Sequence, residues 1–185
     1  MRILMLGNSF TYYHDMPKML SAILECEVVA HTRGGARLSE HLNPDTELGA
    51  RTLPALREEK WDFVVLQEQS NAPVTTKRAF HESVKKLTEM ICAAGAVPVL
   101  YATWAYKENT GKLATMNMTY DEMFSGLYAS YHEAVFDSSV RIADVGQAFS
   151  KLRGLAELYE EDAFHPSEAG SILAAHVIAQ TILQK

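Results

Sequence analysis

Cysteine is nearly absent: the 185-residue chain holds only Cys26 and Cys92, far apart and without Cys-x-x-Cys spacing. That excludes a disulfide framework and a thiolate metal cluster, and both residues, set among apolar neighbours, are expected as buried free thiols in a cytoplasmic setting. Positive charge is scarce as well. Seventeen Lys and Arg against 23 Asp and Glu leave a net charge of -6 with no basic stripe, which excludes a nucleic-acid surface built on clustered cations. No apolar run approaches the roughly 20 residues that cross a bilayer, so no membrane partner is expected. The N-terminus has Arg2 and then a short apolar run ending in Gly-Asn-Ser, which lacks the longer core and cleavage site of a signal peptide. Internal repeats, low-complexity tracts and Pro/Gly-rich linkers are missing too. A single domain over residues 1–185 is expected.

What the chain does have is alternation. Apolar runs of strand character recur at 2–6, 27–31, 62–67, 97–102 and 140–143, and amphipathic helical patterns fall at 17–24, 47–59, 76–94, 120–135 and 167–183. Strand followed by helix implies crossover connections and parallel pairing. The runs "RILML", "FVVLQ" and "PVLYA" are almost continuously apolar, the pattern of strands covered by helices on both faces. The expected fold is α/β, a three-layer α/β/α sandwich around a mostly parallel five-stranded sheet of flavodoxin-like type. The least regular stretch, "TWAYKENTGKLATMNMT" after the fourth strand, reads either as a functional loop or as a surface excursion with an aromatic anchor.

The chemistry-bearing residues sit at the ends of these strands. "ILMLGNSFTYY" breaks at Gly7 and delivers Ser9 to the carboxyl edge of the sheet, where open α/β sheets bind ligands. A lone serine there is more often a helix cap. "YEEDAFHPSEAG" weighs against that reading: Pro166 keeps His165 out of helical geometry in a turn before the last helix, and Asp162 is three residues upstream. Such a carboxylate can bond the Nδ1 proton, fix the tautomer and stabilise the imidazolium. Ser9, His165 and Asp162 can therefore converge as nucleophile, base and orienter. Two further loops offer donors for a developing oxyanion: "TRGGARLSEH", where Gly34 and Gly35 allow close backbone approach, and "LQEQSNAP", which carries amide side chains.

With these blocks in view the chain resembles the SGNH hydrolase superfamily, the GDSL-type esterases and lipases. "LGNSF" matches the first block, with Asn8 in place of the usual Asp and Ser9 as nucleophile and oxyanion donor; "GGARL" matches the second, with Gly35 as donor; "DAFHPS" matches the last, with Asp162 and His165. The third block is usually Gly-x-Asn-Asp and here reads "QSNA", so the resemblance makes Asn71 the favoured side-chain donor and Gln69 its rival. It implies a serine esterase without cofactor or metal, acting on a small-molecule ester with a short acyl group, acetyl first, with an acylated sugar among the candidate substrates.

Other readings fare less well. Gly-x-Ser-x-Gly fails at Thr11, and neither Gly-x-Gly-x-x-Gly nor a Walker loop occurs. A flavodoxin-like phosphate or cofactor binder shares the fold expectation, but its loop after the first strand would lack the needed glycine. A non-catalytic carbohydrate binder of the same superfamily would not need Ser9, Asp162 and His165 together. The remaining histidines, 14, 31, 41, 81, 132 and 176, lack ligand spacing and read as packing or surface residues, with His14 and Tyr12 candidates for a cleft mouth.

Overall fold

The computed structural model describes residues 1–136 and 139–184. In chain order its elements are β1 (Arg2–Gly7), α1 (Ser9–Tyr12), a 3-10 turn (Tyr13–Asp15), α2 (Met16–Leu24), β2 (Glu27–Thr32), α3 (Leu38–His41), α4 (Glu47–Glu58) and β3 (Phe63–Leu66). There follow α5 (Ala72–Thr75), α6 (Lys77–Ala93), β4 (Val97–Tyr101), α7 (Gly111–Thr115), α8 (Tyr120–Glu133), β5 (Arg141–Ala143), α9 (Val145–Lys151) and α10 (Glu168–Leu183). The five strands pair in parallel throughout, in the order β2-β1-β3-β4-β5.

Burial explains the sequence pattern. Ile3 to Leu6 of β1 and Val64 to Leu66 of β3 are completely buried, because these strands lie inside the sheet with helices over both faces. Each such side chain removed from water contributes about 2 kcal/mol toward folding. The edge strand β2 is only half-buried. Helix α6 shows how a face is chosen: Phe80, Val84, Leu87 and Ile91 fall on one stripe and are buried, while its charged residues point outward. On the sheet, α2 packs with α10, and α4 and α6 lie against β2 and β4.

The five long helices stand where periodicity expects them, within about two residues at each end. The short helices α1, α3, α5, α7 and α9 escaped that reading, because one or two turns carry no measurable 3.6-residue period. The irregular stretch after β4 is part helix, α7, and part core: Trp104 is fully buried between Phe10, stacked at 4.6 Å, and Phe149, stacked at 4.1 Å. One expectation is corrected outright. Cys92 is exposed and Cys26 half-buried, so neither is the buried thiol its apolar neighbours suggested; Cys92 follows the buried Ile91 of α6 and falls about 100° round the helix from it, off the inward stripe.

Candidate active site

The strand order places a switch point between β1 and β3: the chain leaves β1 toward β2 on one side and returns beyond it to β3 on the other. Loops diverge at such a point and leave a crevice at the carboxyl ends of the strands. A cleft of about 310 Å³ opens there, bounded by Asn8 and Ser9 after β1, Gly34 and Gly35 after β2, and Gln69 and Ser70 after β3. Phe164 and His165, from the hairpin-like turn before α10, close its far side. Four segments far apart in sequence thus meet at one edge.

Ser9 opens α1 and is buried to 9% exposure. Its Oγ lies 2.8 Å from His165 Nε2, and His165 Nδ1 lies 2.5 Å from Asp162 Oδ2. The other oxygen of Asp162 accepts the backbone N–H groups of Phe164 (3.1 Å) and His165 (3.0 Å), so the carboxylate also shapes the turn that carries the histidine. Partial burial pushes the Asp162 carboxyl up. Its bonds to the His165 ring and to the two N–H groups outweigh that and hold it below its ordinary value.

The turn that carries Ser9 rests on a buried polar web. Asn8 accepts the Phe10 N–H (3.1 Å) through Oδ1 and donates Nδ2–H to the Ala36 carbonyl (3.0 Å) in the glycine loop. A carboxylate at this position could not make the second bond, which is a physical reason for Asn where the resemblance has Asp. Gln67 Oε1 accepts both the Asn8 N–H (2.8 Å) and the Thr11 hydroxyl (3.0 Å). Gly7 makes room for it: a Cβ there would stand 2.6 Å from Gln67 Oε1 and 2.4 Å from Thr11 Oγ1. Beside Gln67, Glu68 is buried to 3% exposure and accepts the Gln69 N–H at 2.7 Å. Burial pushes its carboxyl up to about 7, against that bond, the more distant Leu38 N–H and the charge of Arg37.

Gly35 adopts φ +67, a conformation that suits glycine, and turns the loop into the cleft. Among the described residues no acceptor meets the N–H of Ser9 or of Gly35. Gln69 lines the cleft, its Nε2 3.2 Å from Ser70 Oγ and its Oε1 buried without a partner. Asn71 is directed elsewhere. Its Nδ2 approaches Met116 Sδ at 3.8 Å and its Oδ1 approaches the Thr75 hydroxyl at 3.4 Å, outside the cleft lining. The structure therefore brings Ser9, His165, Asp162, Gly35 and Gln69 together and leaves Asn71 out. The reason is local: Asn71 starts the turn into α5, which carries its side chain toward α7.

Several supporting residues were not read from the sequence. Trp104 donates its indole N–H to the Phe164 carbonyl (3.0 Å) while stacking on Phe10, and so links the segments that carry His165 and Ser9. Tyr106 shares a hydrogen bond with Ser70 (2.8 Å). The aromatics of "TWAY" were the available signal for both. Of the other candidates, Tyr12 lines the cleft, and His14 pairs with Glu160 at 2.7 Å beside it. His31 and His41 are buried packing residues that meet at the Thr52 hydroxyl. Among the described residues no cluster of His, Cys, Asp or Glu could hold a metal ion, and no helix is long and apolar enough to cross a membrane.

A larger cavity, about 420 Å³ and bounded by Lys107, Tyr120, Arg153 and Leu158, contains none of the converging groups. Size does not decide where the chemistry is; convergence of polar groups does.

Comparison with known proteins gives a consistent result. No family model and no curated protein matches the chain. Among solved structures it is similar to a protein of Slackia heliotrinireducens classed as an SGNH hydrolase, with 49% identity over 98% of each chain and a TM-score of 0.95. It is also similar in fold to a DUF4886 family protein of Bacteroides uniformis (18% identity, 100% of this chain and 83% of that one, TM-score 0.72). An acetyl-xylooligosaccharide esterase of Geobacillus shares the fold at 15% identity, over 100% of this chain and 94% of that one, with a TM-score of 0.68.

Proposed function

This chain belongs to the SGNH hydrolase family, and we propose that within it the protein is a serine esterase that removes a small acyl group, acetyl first, from a polar alcohol such as a sugar. One observation carries the reading: the continuous line from Ser9 Oγ through the His165 ring to Asp162, at 2.8 and 2.5 Å. His165 Nε2 takes the Ser9 proton as Oγ forms a bond to the ester carbonyl carbon, and the carbonyl π electrons move onto oxygen. The N–H groups of Ser9 and Gly35 stabilise that oxyanion. Collapse breaks the bond to the alcohol oxygen, which receives the proton from His165, and an acyl-Ser9 remains. Water then repeats the sequence, giving its proton to His165 and releasing the acid and free Ser9.

Gln69 is the third donor in this proposal, in place of Asn71. With its amide turned end for end, Oε1 accepts the Ser70 hydroxyl and Nε2–H points into the cleft; Tyr106 in turn donates to Ser70 Oγ. The partnerless end of the Gln69 amide supports this arrangement, because the turned amide leaves there an unmet donor that an oxyanion would satisfy. The modest cleft volume supports a short acyl group, and the acetyl-xylooligosaccharide esterase of the same fold agrees with a sugar alcohol. The free thiols support a reducing, cytoplasmic setting.

The test is direct. An active-site phosphonate should label Ser9, and Ser9→Ala should lose both labelling and turnover of an aryl acetate by on the order of 10⁴-fold or more, with its melting transition retained. An unlabelled wild-type protein, or an alanine variant as active as wild type, overturns the reading.

A further inference from the structure

Tyr13 lies ring on ring with His165, the centroids 4.1 Å apart and the planes within 4° of each other. Phe164 tilts against the same imidazole at 4.0 Å, and Phe10 meets it edge-on at 5.8 Å. We propose that Tyr13 is a positioning residue for the base: its ring face keeps the imidazole in the plane joining Asp162 to Ser9 and stabilises the imidazolium formed during each proton transfer. The inference rests on the reading of His165 as general base.

The physics of the stack and two further observations support it. First, a flat ring parallel to an imidazole presents its negative face to the ring that becomes cationic, an attraction of the cation–π kind. Second, the chain invests conformational energy in putting Tyr13 there. His14 and Asp15, directly after it, both take left-handed backbone angles (φ 50 and 57) that cost non-glycine residues about 1–2 kcal/mol each. That double reversal lets the chain present Tyr13 to His165 and still anchor Met16, which is 1% exposed, at the start of α2. Third, the turn is fastened to the segment carrying the base. His14 pairs with Glu160, whose backbone N–H donates to the His165 carbonyl at 3.0 Å.

The charged groups around the imidazole are Asp162, bonded to it, and Glu160, paired with His14; Lys112 lies over the Phe164 ring, 4.1 Å from its centroid. Burial, then the charge of Asp162, pushes the Tyr13 phenol up, so the ring stays neutral across the working range and acts through its face.

The experiment compares Tyr13→Phe, which keeps the face, with Tyr13→Leu, which fills space without one. Tyr13→Met replaces the leucine variant should that fail to melt cooperatively. All are assayed for kcat, KM and the pH profile of kcat/KM on a short aryl acetate. The expected result is a phenylalanine variant within about threefold of wild type. The leucine variant should show kcat lowered roughly tenfold at little-changed KM, with the acid limb of its profile moved to lower pH, since an imidazolium without the stacked face is easier to deprotonate. A leucine variant with wild-type kcat and profile overturns the inference, as does a phenylalanine variant that falls equally far. A wild-type protein that leaves Ser9 unlabelled by the phosphonate removes the base itself, and the esterase reading with it; labelling of wild type beside an unaltered leucine variant removes only the role of Tyr13.

Discussion

Ser9 stands on a floor of buried hydrogen bonds, whereas His165 stands at the edge of a hairpin and is held mainly by rings. Under Ser9, Asn8, Thr11, Gln67 and Glu68 are each 3% exposed or less and bonded to one another or to the loops they join. Around His165, Tyr13, Phe164 and Phe10 pack on the imidazole, and the polar ties, Asp162 and the His14–Glu160 pair, are partly in water. The difference follows from placement. The β1 end lies inside the sheet, where backbone groups cut off from water need internal partners. The hairpin before α10 lies outside the sheet and can use solvent for its remaining groups. A fixed Ser9 hydroxyl and a ring held on its faces together give the alignment that the proposed proton transfer needs.

Trp104 serves both regions, stacking on Phe10 and bonding to the Phe164 carbonyl, and its removal should disturb both most severely. Trp104→Ala should cost about 3–5 kcal/mol of stability, the range for emptying a large aromatic site, and should lower turnover by loosening Phe10 and Phe164 together. Chemical denaturation and kcat measure the two effects. A variant that loses activity at unchanged stability would mean that Trp104 does not carry both segments.

Acid separates the regions next, because the Ser9 side buries two titratable groups of opposite tendency, His41 and Glu68. Burial, followed by the nearby His31, lowers His41 to about 4, so its contribution to stability is complete above the ordinary histidine value of 6.5 and is lost as pH falls toward 4. Glu68, raised to about 7, has the opposite sign: its contribution is complete below 4.5 and is lost as pH rises through 7. The two slopes oppose each other between pH 4.5 and 6.5. Glu68→Gln should remove one and leave the protein about 3 kcal/mol more acid-labile, relative to wild type, over the interval from pH 7 to 4.5. Denaturation of both proteins across that interval measures it; parallel stability curves would show that Glu68 titrates normally.

The smallest effect sharpens the picture of the third loop. Gln69→Ala should lower kcat on the order of 100-fold with little loss of stability, as expected for one oxyanion donor, while Asn71→Ala should stay within a few-fold of wild type. Both are assayed on the same aryl acetate. A collapse confined to the Asn71 variant would return the donor role to the residue that the family spacing favours.

The layers and the catalytic candidates were legible in the amino-acid pattern alone. Continuous apolar strands such as "RILML" can only be buried on both faces, periodic helices such as α6 declare which stripe is inward, and Asp162-x-x-His165-Pro166 can close only as a turn. These are local consequences of side-chain chemistry and backbone sterics. Which amide faces the cleft, what floor supports Ser9 and what lies on the His165 ring were decided by tertiary structure. Gln69 and Asn71 are two residues apart and chemically alike, and only the direction of the turn into α5 sends one inward and the other toward Met116. Tyr13 and His165 are separated by most of the chain, and their stacking exists only because the sheet order brings the end of β1 and the start of α10 to one edge. Contacts of that range depend on where whole elements pack, which no local pattern encodes.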